Sequence, residues 1–405
     1  MFYNLLLFLA EPLLKFLSLF NIKIKKGVIG RKESFNKIEA NITNSDKTIW
    51  FHCASLGEYE QGLPVFEQIK QKYPTHKIVL SFFSPSGYEI RKNSPIAHVV
   101  VYLTIDTKAN AKRFVSYLKP ELTVFVKYDI WPNYLIELKK NNLKSILISA
   151  AFRPEQLYFK WYGKRFKKAL MSFNHIFTQN TETVKLLEQI AYNQTSFAGD
   201  TRYDRVTNQL QLNNTLDFVE SFKDNHLLLI IGSSWPEDEA LYIDAINSNR
   251  DLKIIIAPHE INDKKIELLQ HKLKLKTGLY SELKHLDLKS IDVLILDTIG
   301  LLSKVYAYGD IAYVGGAAGH TGLHNILEPA TFGMPVLFGD NHKKFPEAQQ
   351  LIDYRGAFDI SNSTQFKAQL NKLMTNNDLR LEMSKNTAEF ISSQKGATYK
   401  IVNYI

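Results

Sequence analysis

The chain of 405 residues has a single cysteine, Cys53, which excludes an intramolecular disulfide and any multi-cysteine zinc site and agrees with a reducing compartment. No H-E-x-x-H stretch occurs, and no Asp-x-Asp pair stands beside an obvious ligand loop, so neither a metal nor a cofactor is expected. The spacings G-x-G-x-x-G and G-x-x-x-x-G-K-[ST] are also missing, which weakens dinucleotide and P-loop readings. Signatures of the RRM, KH, helix-turn-helix and zinc-finger modules are absent, and nucleic acid is not an expected partner. Neither short-period repeats nor low-complexity tracts break the chain. What is present is ordinary globular composition: 45% hydrophobic and 22% charged residues, enough for two or three domains at roughly 150 residues each. A chain of this length buries about three quarters of its unfolded surface and needs no staple.

Acidic residues are in deficit. Lys and Arg number 50 against 41 Asp and Glu, and 50 − 41 gives a net charge of +9. That balance suits an anionic partner such as a phospholipid surface or a phosphorylated substrate. Residues 1–20, MFYNLLLFLAEPLLKFLSLF, are largely apolar and are followed by Lys23, Lys25, Lys26, Arg31 and Lys32. A signal peptide carries its positive charge before the apolar core and a small-residue cleavage site after it, the reverse of this arrangement. Glu11, Pro12 and Lys15 interrupt the run, so we read an interfacial or shallowly inserted helix with a cytoplasmic basic flank. A buried N-terminal core helix is the alternative.

From Thr48 onward, β-branched runs alternate with amphipathic stretches of helical length. The runs are 48–53, 77–82, 98–103, 122–126, 145–149 and 175–179; after a polar stretch at 208–225 they resume at 226–233, 252–258, 292–297, 310–316 and 335–339. Continuous apolar strands separated by helices imply parallel sheets covered on both faces. The expected fold is α/β: two doubly wound Rossmann-like domains facing a cleft, behind an N-terminal membrane-associated helix. The expected divisions are residues 1–25 for the anchor, 26–210 for the first domain and 211–405 for the second, with the last helix free to cross back. Ligands of such domains bind at the carboxyl ends of the strands.

Two constellations lie at such ends. Seven of the 19 glycines fall between Gly309 and Gly339. There a strand ends in Gly315-Gly316, a loop runs through Gly319 and Gly322, and a helix is expected to start near His324-Asn325. Glycines admit a ligand to the backbone, a helix N-terminus offers free N–H groups, and Glu328 in the first turn suits a ribose diol. The second constellation is strand TIWFHC followed by Ala54-Ser55-Leu56-Gly57-Glu58 and a helix. Ser55, Gly57 and Glu58 then occupy the crevice beyond the first strand. Glu58 reads either as a dipole-stabilised cap or as a general base for a hydroxyl. A basic and aromatic stretch, Lys160 to Lys168, reads either as a solvated helix face or as a surface meeting lipid phosphates.

WFHCASLGEYEQGLPVF resembles the His-x-x-Ser-x-Gly-Glu segment of the Kdo (3-deoxy-D-manno-octulosonic acid) transferases, and GGAAGHTGLHNILEPATFGMPVLFG resembles their Gly-His-Asn-x-Leu-Glu-Pro-Ala block. DIWPN (129–133), GDTRYD (199–204), the strand end IIIAPH (254–259) and DTIG (297–300) are intermediate landmarks. The resemblance implies a GT-B fold and metal-independent, inverting transfer of Kdo from CMP-Kdo to a lipid A precursor (lipid IVA). The expected location is the cytoplasmic face of the inner membrane, against its anionic lipids, in lipopolysaccharide synthesis. By the same resemblance the catalytic base falls on Glu58, with Asp129 as the accessory carboxylate and Arg202 as the accessory basic residue. Donor contacts fall on Pro258, His259, Ile299, Gly300 and Leu301, and on Asn325, Ile326, Leu327 and Glu328, with Gly316, Ser233 and Ser234 nearby. The sequence departs from the family where Lys127-Tyr128-Asp129 replaces Glu-Thr-Glu, where Arg202 replaces a lysine, and where Pro-Arg-His shortens to Pro258-His259. Two alternatives stay open: a GT-B enzyme using a UDP-sugar and a lipid-linked acceptor, and a silent scaffold at the membrane.

Overall fold

The computed structural model describes residues 2–405 and divides into two compact units, residues 2–205 with 395–405, and residues 206–394. The first unit carries β1 (Thr48–Cys53), β2 (Lys77–Phe82), β3 (Val99–Tyr102), β4 (Leu122–Val126), β5 (Lys144–Ala150), β6 (His175–Thr178) and β7 (Thr195–Phe197). The second carries β8 (Leu227–Ser234), β9 (Leu252–Pro258), β10 (Thr277–Leu279), β11 (Val293–Ile295), β12 (Ile311–Val314), β13 (Val336–Gly339) and β14 (Ala357–Ile360). Each unit forms one seven-stranded sheet, ordered β3-β2-β1-β4-β5-β6-β7 and β10-β11-β9-β8-β12-β13-β14. Every strand pairing is parallel.

Strand periodicity explains the burial. In β1, Ile49, Phe51 and Cys53 enter one core cluster while Trp50 enters the cluster on the opposite face. In β8 the same alternation sends Leu229 and Ile231 to one side and Leu228 and Ile230 to the other. Fully burying each such side chain contributes roughly 1.5–3 kcal/mol. The sequence reading had missed β7, β10 and β14. All three lie at sheet edges, and β7 and β10 have only three residues each (TSF and TGL), so no long apolar run marks them.

Sheet order matters for the site. In each sheet the chain starts a central strand, winds outward to one side and returns to the other. The reversal falls between β1 and β4 in the first sheet and between β8 and β12 in the second. Segments leaving the carboxyl ends of those paired strands frame a crevice within each unit. Segments far apart in sequence thereby become neighbours.

Two helices precede β1: α1 (Phe2–Leu17) and α2 (Ile22–Asn41). Asn21 starts α2 by accepting the backbone N–H groups of Lys23 and Ile24 at 2.9 and 3.2 Å. The helix is fixed to the sheet by Arg31, which donates to the carbonyls of Phe83 and Leu103, and by Ser34, which donates to that of Tyr102. At Gly30 a Cβ would lie 2.3 Å from the Tyr102 ring, so this crossing demands glycine. The final helix, Ala397–Tyr404, packs in the first unit: Asp204 accepts from the Gly396 and Thr398 amides at 2.6 and 2.7 Å. Among the described residues no helix is long and apolar enough to cross a membrane. Only part of the 160–168 stretch is helical; the helix starts at Lys164, and Trp161 and Tyr162 stand exposed before it.

Candidate active site

Beyond β1 the chain passes through Ala54 and Ser55 into α3 (Leu56–Lys72), with Ser55 at its N-cap and Glu58 in its first turn. Ser and Glu at this spacing suit a reciprocal capping box, but the Ser55 side chain accepts no backbone N–H. Its hydroxyl donates instead to the Glu58 carboxylate. Glu58 is half-buried, while Gly57 beside it is exposed.

Asp129 follows β4, the strand paired with β1, after Lys127 takes a left-handed φ of 62°. Its side chain is 13% exposed, and one carboxylate oxygen lies 3.5 Å from His52 Nε2. Burial pushes the Asp129 carboxyl well above the usual carboxylate range, the charge of Glu58 pushes it further, and the Ala54 amide opposes both. Burial lowers His52 to about 3, so its imidazole is neutral. His52 Nδ1 lies 2.8 Å from Ser81 Oγ, which accepts the Trp50 indole N–H at 2.7 Å. Hydrogen bonds thus join Trp50, Ser81 and His52, and His52 Nε2 faces Asp129 without bonding to it, inside a run that reads as an apolar strand. Ser81 escaped sequence reasoning for that reason, and His52 was marked only as the histidine of the His-x-x-Ser-x-Gly-Glu segment.

Arg202 follows Gly199, whose φ is 107°, in the helix Thr201–Thr207. Its Nε and a terminal nitrogen each lie 2.8 Å from Asp200, and Gln61 of α3 donates to the same carboxylate at 2.9 Å. The Arg202 loop is therefore tied to the helix that carries Glu58. Ser55, Glu58 and Asp129 form one cluster, with Arg202 anchored through Asp200.

In the second unit, β8 ends at Ser233 and Ser234, and Gly315 follows the end of β12 at Val314. Ser233 takes a φ of 53°, a conformation that costs a non-glycine residue on the order of 1–3 kcal/mol. Its hydroxyl has no partner among the described residues, whereas the Ser234 hydroxyl is buried against Tyr242 at 2.8 Å. Gly315 must be glycine because a Cβ would lie 2.4 Å from the Ser233 carbonyl; Gly316, with a φ of 98°, would meet the Gly322 carbonyl at 2.2 Å. The Gly316 amide donates to buried Asp238, which also takes the Trp235 amide and the Tyr313 hydroxyl.

Pro258 ends β9, and the following His259 stacks between Trp235 and His324, with ring centroids 4.5 and 4.3 Å away. The Trp235 indole donates to His324 Nε2 at 2.8 Å. Burial and the neighbouring His259 lower His324 to about 4, which keeps that acceptor nitrogen unprotonated. The helix expected from His324-Asn325 starts only at Leu327 and ends at Thr331. Asn325 stays outside it and accepts the Leu327 amide, while Pro329 has no N–H to offer. Glu328 is held by Ser303 and Asn325, each donating at 3.0 Å to a different carboxylate oxygen. Ile326 and Leu327 are buried, Ile299 is 90% exposed, and Gly300 (φ 97°) and Leu301 continue that open loop. Asp340, Asn341, Lys343 and Lys344, which no sequence pattern marks, line a cavity of about 480 Å³ with Gly319 and Gly322. Trp235, Asp238 and Ser303 were likewise unmarked, since only the folded sheet order brings them to the glycine loop.

Two doubly wound parallel sheets, each with its loops gathered at a central strand reversal, define a GT-B fold. The same architecture recurs in a UDP-GlcNAc 2-epimerase from Neisseria meningitidis (TM-score 0.63, 12% identity, 88% of this chain and 98% of that one). It recurs too in Acinetobacter baumannii MurG (TM-score 0.56, 14% identity, 89% and 99%). A family model described as 3-Deoxy-D-manno-octulosonic-acid transferase (kdotransferase) matches residues 30–205. The 3-deoxy-D-manno-octulosonic acid transferase of Aquifex aeolicus is 26% identical over 342 residues, covering 83% of this chain and 88% of its own. That of Haemophilus influenzae is 23% identical over 432 aligned positions, covering 100% and 97%. Over most of its length the chain is thus similar to glycosyltransferases of the Kdo transferase family.

Proposed function

We propose that the protein transfers Kdo, with inversion, from CMP-Kdo to a lipid A precursor such as lipid IVA. The observation that carries this reading is the Ser55–Glu58–Asp129 cluster beyond the paired strands β1 and β4. Burial and the charge of Glu58 both raise the Asp129 carboxyl, which favours Glu58 as the base of the pair. Glu58 takes the proton of an acceptor hydroxyl. The oxygen bonds to the anomeric carbon as the bond from that carbon to the phosphate oxygen breaks, and CMP leaves with the electron pair. Ser55 orients the base, and the neutral His52 lies 3.5 Å from Asp129 without adding charge.

In the second unit, the Ser233 hydroxyl suits the donor phosphate, because it has no internal partner. Glu328, oriented by Ser303 and Asn325, suits ribose hydroxyls. Pro258, His259 and the Ile299–Leu301 loop complete the donor side. Arg202, held by Asp200, serves as the accessory basic residue, a fixed positive charge. Acceptors of this kind sit in a membrane, and α1 offers exposed leucines and phenylalanines to the cytoplasmic face of the inner membrane. Mass spectrometry of products from CMP-Kdo and a tetraacylated lipid A precursor tests the reading. A Kdo mass increment is expected; turnover of a UDP-hexose in its place would refute the donor.

A further inference from the structure

Outside the cluster and the glycine loop, the first unit holds an open cavity of about 620 Å³ lined by Lys108, Lys112, Lys164, Arg165 and Lys168, with Glu137 as its one carboxylate. Among the described residues, none of the four lysine side chains has a hydrogen-bond or ion-pair partner. Glu137 lies 3.9 Å from Lys140, outside the cavity. Five like charges around one hollow repel one another, and an anionic occupant removes that cost. Arg165 differs from the lysines in being fixed. It donates to Asn133 and to Asn4, and its Nε is buried without a partner.

The same wall carries the apolar helix. Asn133 donates to Asn4 of α1 at 3.1 Å, the Tyr3 hydroxyl donates to Asp106 at 2.7 Å, and the Tyr3 ring meets Phe166 edge-on at 5.3 Å. From this anchorage α1 presents Leu5, Leu6, Phe8, Leu9, Leu13 and Phe16, each more than half exposed. Trp161 and Tyr162, 84% and 60% exposed, stand immediately before the helix carrying Lys164, Arg165 and Lys168. Apolar side chains and interfacial aromatics beside a hollow of unpaired cations match the layering of a bilayer, with acyl chains below and phosphates above.

We propose that this cavity is a headgroup site that takes the phosphate of an anionic phospholipid from the bilayer in which α1 lies. The assignment rests on the reading of the protein as an enzyme with a membrane-embedded acceptor and adds the surface that seats it there. Lysines on long, flexible stems act as point charges without fixed geometry, which suits a mixed lipid headgroup layer better than one stereospecific sugar phosphate.

The test is partition of the full chain onto phosphatidylcholine vesicles with and without phosphatidylglycerol. Each lysine near an anionic surface accounts for about fivefold in partition, so Lys108→Gln/Lys164→Gln/Lys168→Gln should lose on the order of 100-fold on the anionic vesicles. Binding to phosphatidylcholine alone should hold, as should melting temperature and CMP binding. Lys→Arg at the same three positions should restore partition, and Lys164→Gln alone should lose about fivefold. Undiminished partition of the triple glutamine variant overturns the assignment, and so does an equal loss on both vesicles. Unchanged partition with a raised KM for detergent-dispersed glycolipid would give the cavity to the acceptor's own phosphate and refute the phospholipid. Because partition needs no turnover, a wild-type chain that binds anionic vesicles yet transfers no Kdo would fail the catalytic reading and leave this one standing.

Discussion

Replacing Asp129 by asparagine removes a carboxyl that burial and the charge of Glu58 both hold above its ordinary range. A carboxyl raised in the folded state contributes stability that is fully present below its unfolded value, near 3.9, and is lost as pH rises through the folded value. The asparagine amide never ionises. The variant and the wild type should therefore match at acid pH, and the variant should become the more stable as pH rises. The gap should widen by up to about 1.4 kcal/mol per pH unit and level off once Asp129 is ionised in the native state. For a unit of this size that is roughly 2–4 °C in Tm for each kcal/mol. Thermal melts of both proteins across the acid-to-neutral range measure the gap directly. The Glu58 charge is the second cause of the shift, so the gain from Asp129→Asn should shrink in a Glu58→Gln background. A gap of opposite sign, or one that does not change with pH, would refute the account of this pair.

Ser81→Ala strips the acceptor from the Trp50 indole and the partner from His52, both fully buried, and should cost about 2–4 kcal/mol in urea unfolding. Ser233→Gly relieves a left-handed serine and deletes an unpartnered hydroxyl, so Tm should rise slightly while transfer slows; a fall in Tm would refute the strain argument. Glu328→Gln should weaken CMP binding roughly 10- to 150-fold in calorimetric titration, the loss of one charge-assisted hydrogen bond. Unchanged CMP affinity would remove Glu328 from the donor side.

Central strands were legible because burial on both faces forces continuous apolar runs, as in TIWFHC and LLLIIGS. The edge strand TSF carries no such run, and only its pairing with β6 makes it a strand. Glu58 and Glu328 each stood out because a carboxylate followed a strand end and glycines. Their partners were hidden for different reasons. Asp129 joins Glu58 only because the sheet reverses between β1 and β4, and Ser303 meets Glu328 across a loop that no local pattern predicts. His52 faces the core in a run that looks apolar, and its importance lies in Ser81 on the neighbouring strand. The late start of the helix at Leu327 follows from Asn325 capping a short segment that contains Pro329.

The central claim is that Glu58 removes the acceptor proton, and the most direct measurement is single-turnover Kdo transfer by Glu58→Gln beside its CMP affinity and Tm. Glutamine preserves size and one acceptor oxygen for the Ser55 hydroxyl but takes no proton at neutral pH. Transfer should fall about 10²- to 10⁴-fold while CMP affinity holds and Tm changes little. Transfer within about threefold of wild type, with a Tm lowered by the roughly 0.3–1 kcal/mol of a helix-terminal charge, would contradict it and make Glu58 a cap.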